Sequence, residues 1–280
     1  MFIIRILTLF LMMIFVQGVH AAACGAEPTT DSVTTCHATP DEYTITMFEM
    51  GLCAGINDQS ATVPDISSNC QTTYTNSSGA SILVQNNISS AITGGTSTRP
   101  ANGSYTYGYI KVDARVLMKT THTFSGTRLG TGTGPDNIGG DTCWTNGDPS
   151  DLNTSADCGP EGSADPQNMR IDIINLAGVG PVTNNFYNRF ESDSEGLDDT
   201  YAYLIDEDGN ASTSMVYSSG SGNVKYLLGV AKFSSAKTVT NSTSSMEAQF
   251  VVTRGLSVSF PAANIVNFGI NEFKVITTVY

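Results

Sequence analysis

Basic side chains are scarce in this chain, and histidines scarcer still. Thirteen Lys and Arg stand against 26 Asp and Glu, a net charge of −13. That balance is a poor base for the clustered cations that hold nucleic-acid phosphates, and it argues against docking on anionic lipid heads. Of the three histidines, His20 lies near the start, while His37 and His122 stand alone and far apart, so no Ser-His-acid set is evident. The sequence also lacks a Cys-x-x-Cys pair, a Gly-x-Ser-x-Gly elbow and any Lys-Ser/Thr ending to the glycine-rich stretch 126–134. Beyond the first residues no apolar run approaches the length of a membrane helix, and no stretch keeps a helical period for three turns. These absences exclude nucleic-acid binding, a membrane span in the mature chain and most catalytic classes, and the chain is read as no enzyme.

What is present begins with the leader. Arg5 precedes an apolar run from Ile6 to Val16, and Ala21, Ala22 and Ala23 stand just before Cys24. A positive start, a short apolar stretch and an A-x-A-like end read as a secretory signal peptide over residues 1–23. Its removal takes away Arg5 and no acid, which leaves the mature chain at about −14. Residues 24–280 then form a single domain, secreted or held at the cell surface, where disulfides persist. Six cysteines remain: Cys24, Cys36, Cys53, Cys70, Cys143 and Cys158. They allow ~15 pairings. Nearness along the chain favours Cys24–Cys36, Cys53–Cys70 and Cys143–Cys158, the last most of all because both its members sit in one isolated segment. Cys24 has an alternative fate as the lipidated cysteine of a lipoprotein, although no Leu stands three positions before it.

Period-2 patterning dominates the rest. Residues 43–50 and 81–84 are β-rich, and 105–118 is the longest strand candidate. In that stretch Ile110, Val112, Ala114, Val116 and Met118 face a core, while Lys111, Asp113 and Arg115 face water. Alternation returns over 169–176, 201–205, 246–252, 256–260 and 273–279, and 224–233 is apolar on both faces. Many short strands, frequent turns and no helices predict an all-β fold, a β-sandwich of which the jelly roll is one arrangement. Between the halves, residues 126–167 lose all periodicity. They read as a long Gly/Asp-rich loop insertion closed by Cys143–Cys158.

Few residues suggest chemistry. Tyr105, Tyr107 and Tyr109 alternate in register with Lys111, Asp113 and Arg115, which predicts an exposed aromatic stripe able to stack on sugars or on a partner. A tyrosine ladder shielded by a neighbouring loop is the plainer reading. Trp144, the only tryptophan, is a candidate anchor beside Cys143 or a cover for that disulfide. Asp206, Asp208 and Asn210 have the oxygen spacing of a calcium loop, but Ala211 stands where glycine is expected and no Glu follows. Strand candidates flank the segment, so a plain hairpin turn at Asp208-Gly209 is the better reading. Asp136, Asp141, Asp148, Asp151, Asp157 and Glu161 offer further oxygens in the insertion. No other cofactor is implied.

Two segments resemble known families. Cys36, Pro40, Tyr43 and Cys53, with Cys70 beyond, resemble the start of secreted bacterial β-sandwich proteins of uncharacterised function. The closing residues 271–280 are similar to the last strand of chaperone–usher pilins, although Tyr280 is last rather than penultimate. The resemblance implies a strand that pairs with a neighbour. Together these readings predict a secreted, non-catalytic structural or adhesin-like protein, with a filament component as one form. Its partners would be a protein or glycan at the cell surface, or further copies of itself. A carbohydrate-binding module using the tyrosine stripe is the alternative.

Overall fold

In the computed structural model the described residues are 24, 35–56, 62–85, 92–147, 155–171, 176, 183–190, 199–271 and 273–280. The leader 1–23, Asp148 and Asp151, and part of the 169–176 strand lie outside them. In chain order the elements are β1 (Thr35–Ala38), β2 (Glu42–Cys53), the helical turn α1 (Ile66–Asn69), β3 (Cys70–Val84), β4 (Thr96–Ser97), β5 (Gly103–Asp113) and β6 (Val116–Lys119). Then come β7 (Thr121–Gly130), β8 (Gly140–Thr145), β9 (Ala156–Gly159), β10 (Met169–Ile171), β11 (Thr183–Asn184), β12 (Tyr187–Phe190) and β13 (Asp199–Ile205). The last are β14 (Ser214–Tyr217), β15 (Asn223–Val224), β16 (Tyr226–Val239), β17 (Met246–Val251), β18 (Leu256–Ala262), β19 (Ile265–Ile270) and β20 (Lys274–Val279). The fold is all-β, as the alternation predicts.

Two main sheets share one core. In the larger, β2 is central: Met47 lies opposite Ala80 of β3 on one side and Val112 of β5 on the other. The sheet runs on through β16, β13, β12 and β11, with β6 and β10 pairing beside it. The smaller sheet has the order β1-β18-β19-β7-β8-β9. Its parallel β19–β7 contact and the size of the larger sheet go beyond the eight antiparallel strands of a jelly roll. A separate two-stranded ribbon, β17–β20, continues the β18–β19 hairpin, since β17 leads into β18 and β19 into β20. Asn271 N–H donates to the Gly255 carbonyl at the junction, 2.9 Å.

The period-2 faces explain why these layers stack. Tyr43, Ile45 and Met47 of β2 are fully buried, and each such side chain contributes about 1.5–3 kcal/mol by leaving water. Ile110, Val112, Ala114, Val116 and Met118 all join the same core. That stretch is two strands rather than one, because the chain bends at Ala114–Arg115, where the Asp113 carboxylate accepts from Arg115 N–H at 2.9 Å. Several strand glycines serve as seats for aromatic rings. A Cβ at Gly51 would lie 2.4 Å from Tyr109 Cε1, and one at Gly108 would lie 2.9 Å from Phe233 Cζ.

The 126–167 stretch is not a loop without structure of its own. It holds the end of β7 and all of β8 and β9, which form one margin of the smaller sheet. Glycines hide that order from a periodicity reading by allowing backbones to touch. A Cβ on Gly130 would stand 1.7 Å from the Ala156 carbonyl oxygen, and one on Gly140 would stand 1.8 Å from Gly159.

Candidate functional site

All six cysteines are paired, as Cys24–Cys36, Cys53–Cys70 and Cys143–Cys158. Cys36 lies on β1 and Cys158 on β9, so both marginal strands of the smaller sheet are stapled. Cys53 and Cys70 face one another across β2 and β3 and close the base of the connection between them.

That connection corrects the expectation of an exposed tyrosine stripe. Tyr105, Tyr107 and Tyr109 are only 4%, 8% and 3% exposed. Ile56, Val63 and Ile66, from the segment between β2 and β3, lie over the outer face of the larger sheet, where Tyr107 and Tyr109 pack with Tyr187, Tyr201 and Tyr203. Tyr105 joins Leu52, Phe233 and Val239 instead, and its hydroxyl donates to the Ala101 carbonyl at 2.7 Å. The burial agrees with the plainer reading of tyrosines shielded by a loop; what the strand's own pattern does not announce is that the cover comes from the segment between β2 and β3. Trp144 is also buried, at 3%, with its ring against Gly159. It is therefore no projecting anchor.

Asp206, Asp208 and Asn210 form a turn. The Asp206 carboxylate is buried, whereas Asp208 and Asn210 are exposed. Asp206 accepts from the backbone N–H groups of Asp208 (3.1 Å), Asn210 (2.8 Å) and Gly222 (2.9 Å). Desolvation raises its pKa, but these donors outweigh it and hold the group below the usual carboxylate range. The chain reverses at this turn, with Ser212 N–H bonded to the Leu204 carbonyl at 3.0 Å. It then diverges, so β14 pairs with β15 rather than completing a hairpin with β13. Among the described residues no three His, Cys, Asp or Glu side chains gather into a metal-binding group.

Sequence reading missed three polar centres. Asn137 uses every donor and acceptor of its amide: Oδ1 accepts from Gly130 N–H (2.8 Å) and Cys158 N–H (3.1 Å), while Nδ2 donates to the Gly130 (2.8 Å) and Gly132 (2.7 Å) carbonyls. Glu49 accepts from the Tyr109 hydroxyl at 2.6 Å and pairs with Lys111 at 3.1 Å. Burial pushes the Glu49 pKa up, but the Tyr109 bond and the Lys111 charge prevail and lower it. Tyr217 donates to Asp113 at 2.9 Å, accepts from Lys225 at 2.9 Å and lies under the Arg115 guanidinium, 3.8 Å from the ring centroid. An Asn in a Gly-rich loop, or a Glu on a strand, carries no local signal of such a role.

A broad concave feature lies between the ribbon and the larger sheet. A groove of about 760 Å³ separates the β17 edge of the ribbon from β3 and β4. Met50, Leu52, Ile82, Val84, Met246 and Phe250 give it an apolar floor, and Thr98, Arg99 and Ser245 a polar rim. Tyr74 also lines it, and its buried hydroxyl has no hydrogen-bond partner among the described residues. A second, apolar cavity of about 70 Å³ lies beneath the ribbon and shares Met50, Leu52, Met246 and Ala248 with the groove. The volume of the groove falls in the ~300–1,000 Å³ range of ligand sites. It is the candidate site.

Comparison with family models, with curated proteins and with solved structures yields no match. The fold and its disulfides define the class: an all-β, sandwich-like protein of an oxidising compartment. Among the described residues, no helix is long and apolar enough to cross a membrane.

Proposed function

We propose that this chain is a secreted, non-catalytic scaffold of the bacterial cell surface, adhesin-like in role, which acts through what it binds. The observation that carries the reading is that every cysteine is cross-linked, with Cys143–Cys158 tying the marginal strand β9 to β8 and Cys24–Cys36 holding the residues before β1 against it. A cross-link at an edge strand resists the fraying by which a sheet opens under load or protease attack, and it has no part in chemistry on a substrate. The leader-like residues 1–23 and the acidic, basic-poor composition support export and a solvated exterior. The carboxylates of Glu49, Asp113 and Asp206 are engaged with the packing around them.

Antibody labelling of intact source cells tests the location, beside a broad glycosidase and esterase screen of the purified chain. Labelling without permeabilisation and no turnover are expected. Labelling only after lysis, or turnover lost on mutating one carboxylate, overturns the proposal.

A further inference from the structure

We propose that the open edge of β17 takes an extended segment of a different polypeptide, apolar at every second residue, which adds to the ribbon as a strand antiparallel to β17. The edge belongs to a ladder that already works this way. β17 and β18 form one margin of the long hairpin, and β1 covers it antiparallel from Leu256 to Ser259. The chain then leaves: Thr39 Oγ1 donates to the Thr253 carbonyl at 2.9 Å, and Pro40 passes Gly255. Beyond that point no described strand pairs with β17 except β20.

The hydrogen-bond register says which groups await a partner. Tyr280 N–H donates to the Ser245 carbonyl at 3.0 Å, so Ser245 and Tyr280 form a hydrogen-bonded pair. Alternation along an antiparallel ladder then turns Glu247, Gln249 and Val251 toward β20. Met246, Ala248 and Phe250 turn their N–H and C=O groups the other way, toward the groove. Of the usual guards of an exposed edge β17 carries one charge, Glu247, and no Lys, Pro or bulge. The added strand would lie along the groove wall that Ile82 and Val84 help to line, although both are already largely buried, at 4% and 6% exposure. Six residues of strand span about 20 Å, matching the length of β17.

Among its described residues a second copy has no spare strand of this kind, because the alternating apolar runs there already sit in its own sheets. Of the stretches outside the described residues, 25–34 and 86–91 hold two apolar residues each. The more apolar 172–182 contains Leu176, which is buried at the 70 Å³ cavity with its carbonyl bonded to Asn188. The partner is therefore another protein, and a net charge of −13 favours basic flanks on its segment.

The test uses a synthetic peptide of alternating threonine and valine flanked by lysines, with a control that groups the valines. Fluorescence anisotropy is read on the purified chain, and hydrogen exchange at single amides with and without peptide. Fast exchange at Met246, Ala248 and Phe250, slowed by the alternating peptide alone, is expected. Ala248→Pro should keep the parent melting temperature, since proline is tolerated where an edge N–H faces solvent. It should weaken the peptide by about tenfold, the loss of one hydrogen bond. Leu83→Asp, on the groove wall, should weaken it as well. Equal binding of both peptides, no alternation in exchange, or unfolding of Ala248→Pro would overturn the proposal, the last because it would show that amide already paired. Self-association competed by the peptide would overturn it in favour of a second copy. Each of these outcomes leaves the surface-labelling result untouched.

Discussion

At the scale of single residues, glycine and asparagine hold the β7–β9 margin together. Gly130 has no room for a methyl group, and the atoms it would strike belong to the Ala156 backbone. Gly130→Ala should therefore cost about 3 kcal/mol, at the upper end of overpacking. Gly55→Ala, with nothing within 4 Å of the new Cβ, should stay within about 0.5 kcal/mol. Urea unfolding of the two variants provides the comparison, and equal midpoints would contradict the close packing. Asn137→Asp removes two donors while keeping the shape, so the Gly130 and Gly132 carbonyls lose their partner. A loss of about 2–3 kcal/mol is expected, read as a lower urea midpoint, while the Gly130 and Cys158 amides keep their acceptor.

At the scale of elements, the β2–β3 connection matters most, because it converts an outward sheet face into an interior. Cys53–Cys70 closes its base, Ala54 N–H bonds to the Asn69 carbonyl at 3.0 Å, and Thr106 Oγ1 donates to the Ala54 carbonyl at 2.8 Å. Opening that disulfide in Cys53→Ser/Cys70→Ser releases about 3 kcal/mol of unfolded-chain constraint and frees the cover from its anchor. Nitration mapped by mass spectrometry should then reach Tyr107 and Tyr109 but not Tyr43, which is enclosed between the sheets. Protection of all three would mean that Ile56, Val63 and Ile66 hold the cover unaided. The same element marks the limit of what the sequence makes legible. The inner faces of β2, β5 and β6 follow from alternation, because a half-buried strand writes its own pattern. The cysteine pairs are the ones that nearness along the chain favours, although spacing alone leaves other pairings open. The cover over Tyr107 and Tyr109, the Asn137 latch and the groove beside β17 are long-range outcomes. They depend on which segments meet, and no single strand records that.

At the scale of the whole molecule, the titrating groups set a window of stability. His37 and His122 are held below the usual 6.5, first by burial and, for His37, also by Arg254. A buried neutral imidazole protonates later than an unfolded one. Between the two values the unfolded chain binds more protons, so stability falls as pH drops below about 6.5. Glu49 lies below its ordinary 4.5 and Asp206 below 3.8. Their contribution is complete above those values and is lost on further acidification, as pH falls through the folded-state values. On the alkaline side Tyr43, Tyr109 and Tyr217 lie above their ordinary 10.0, chiefly through burial. There the unfolded chain ionises first, and stability declines as pH rises past about 10. Urea midpoints measured across pH should trace a plateau between pH 6.5 and 10 with a stepped acid limb. His122 stacks edge-on against Phe124 at 4.7 Å, and His122→Gln should shrink the first acid step to the share of His37 while leaving the second. Glu49→Gln should do the reverse and lower the plateau, because Lys111 and the Tyr109 hydroxyl then face an amide instead of a carboxylate. If both variants followed the parent curve at every pH, neither side chain would be the titrating group that the packing makes it.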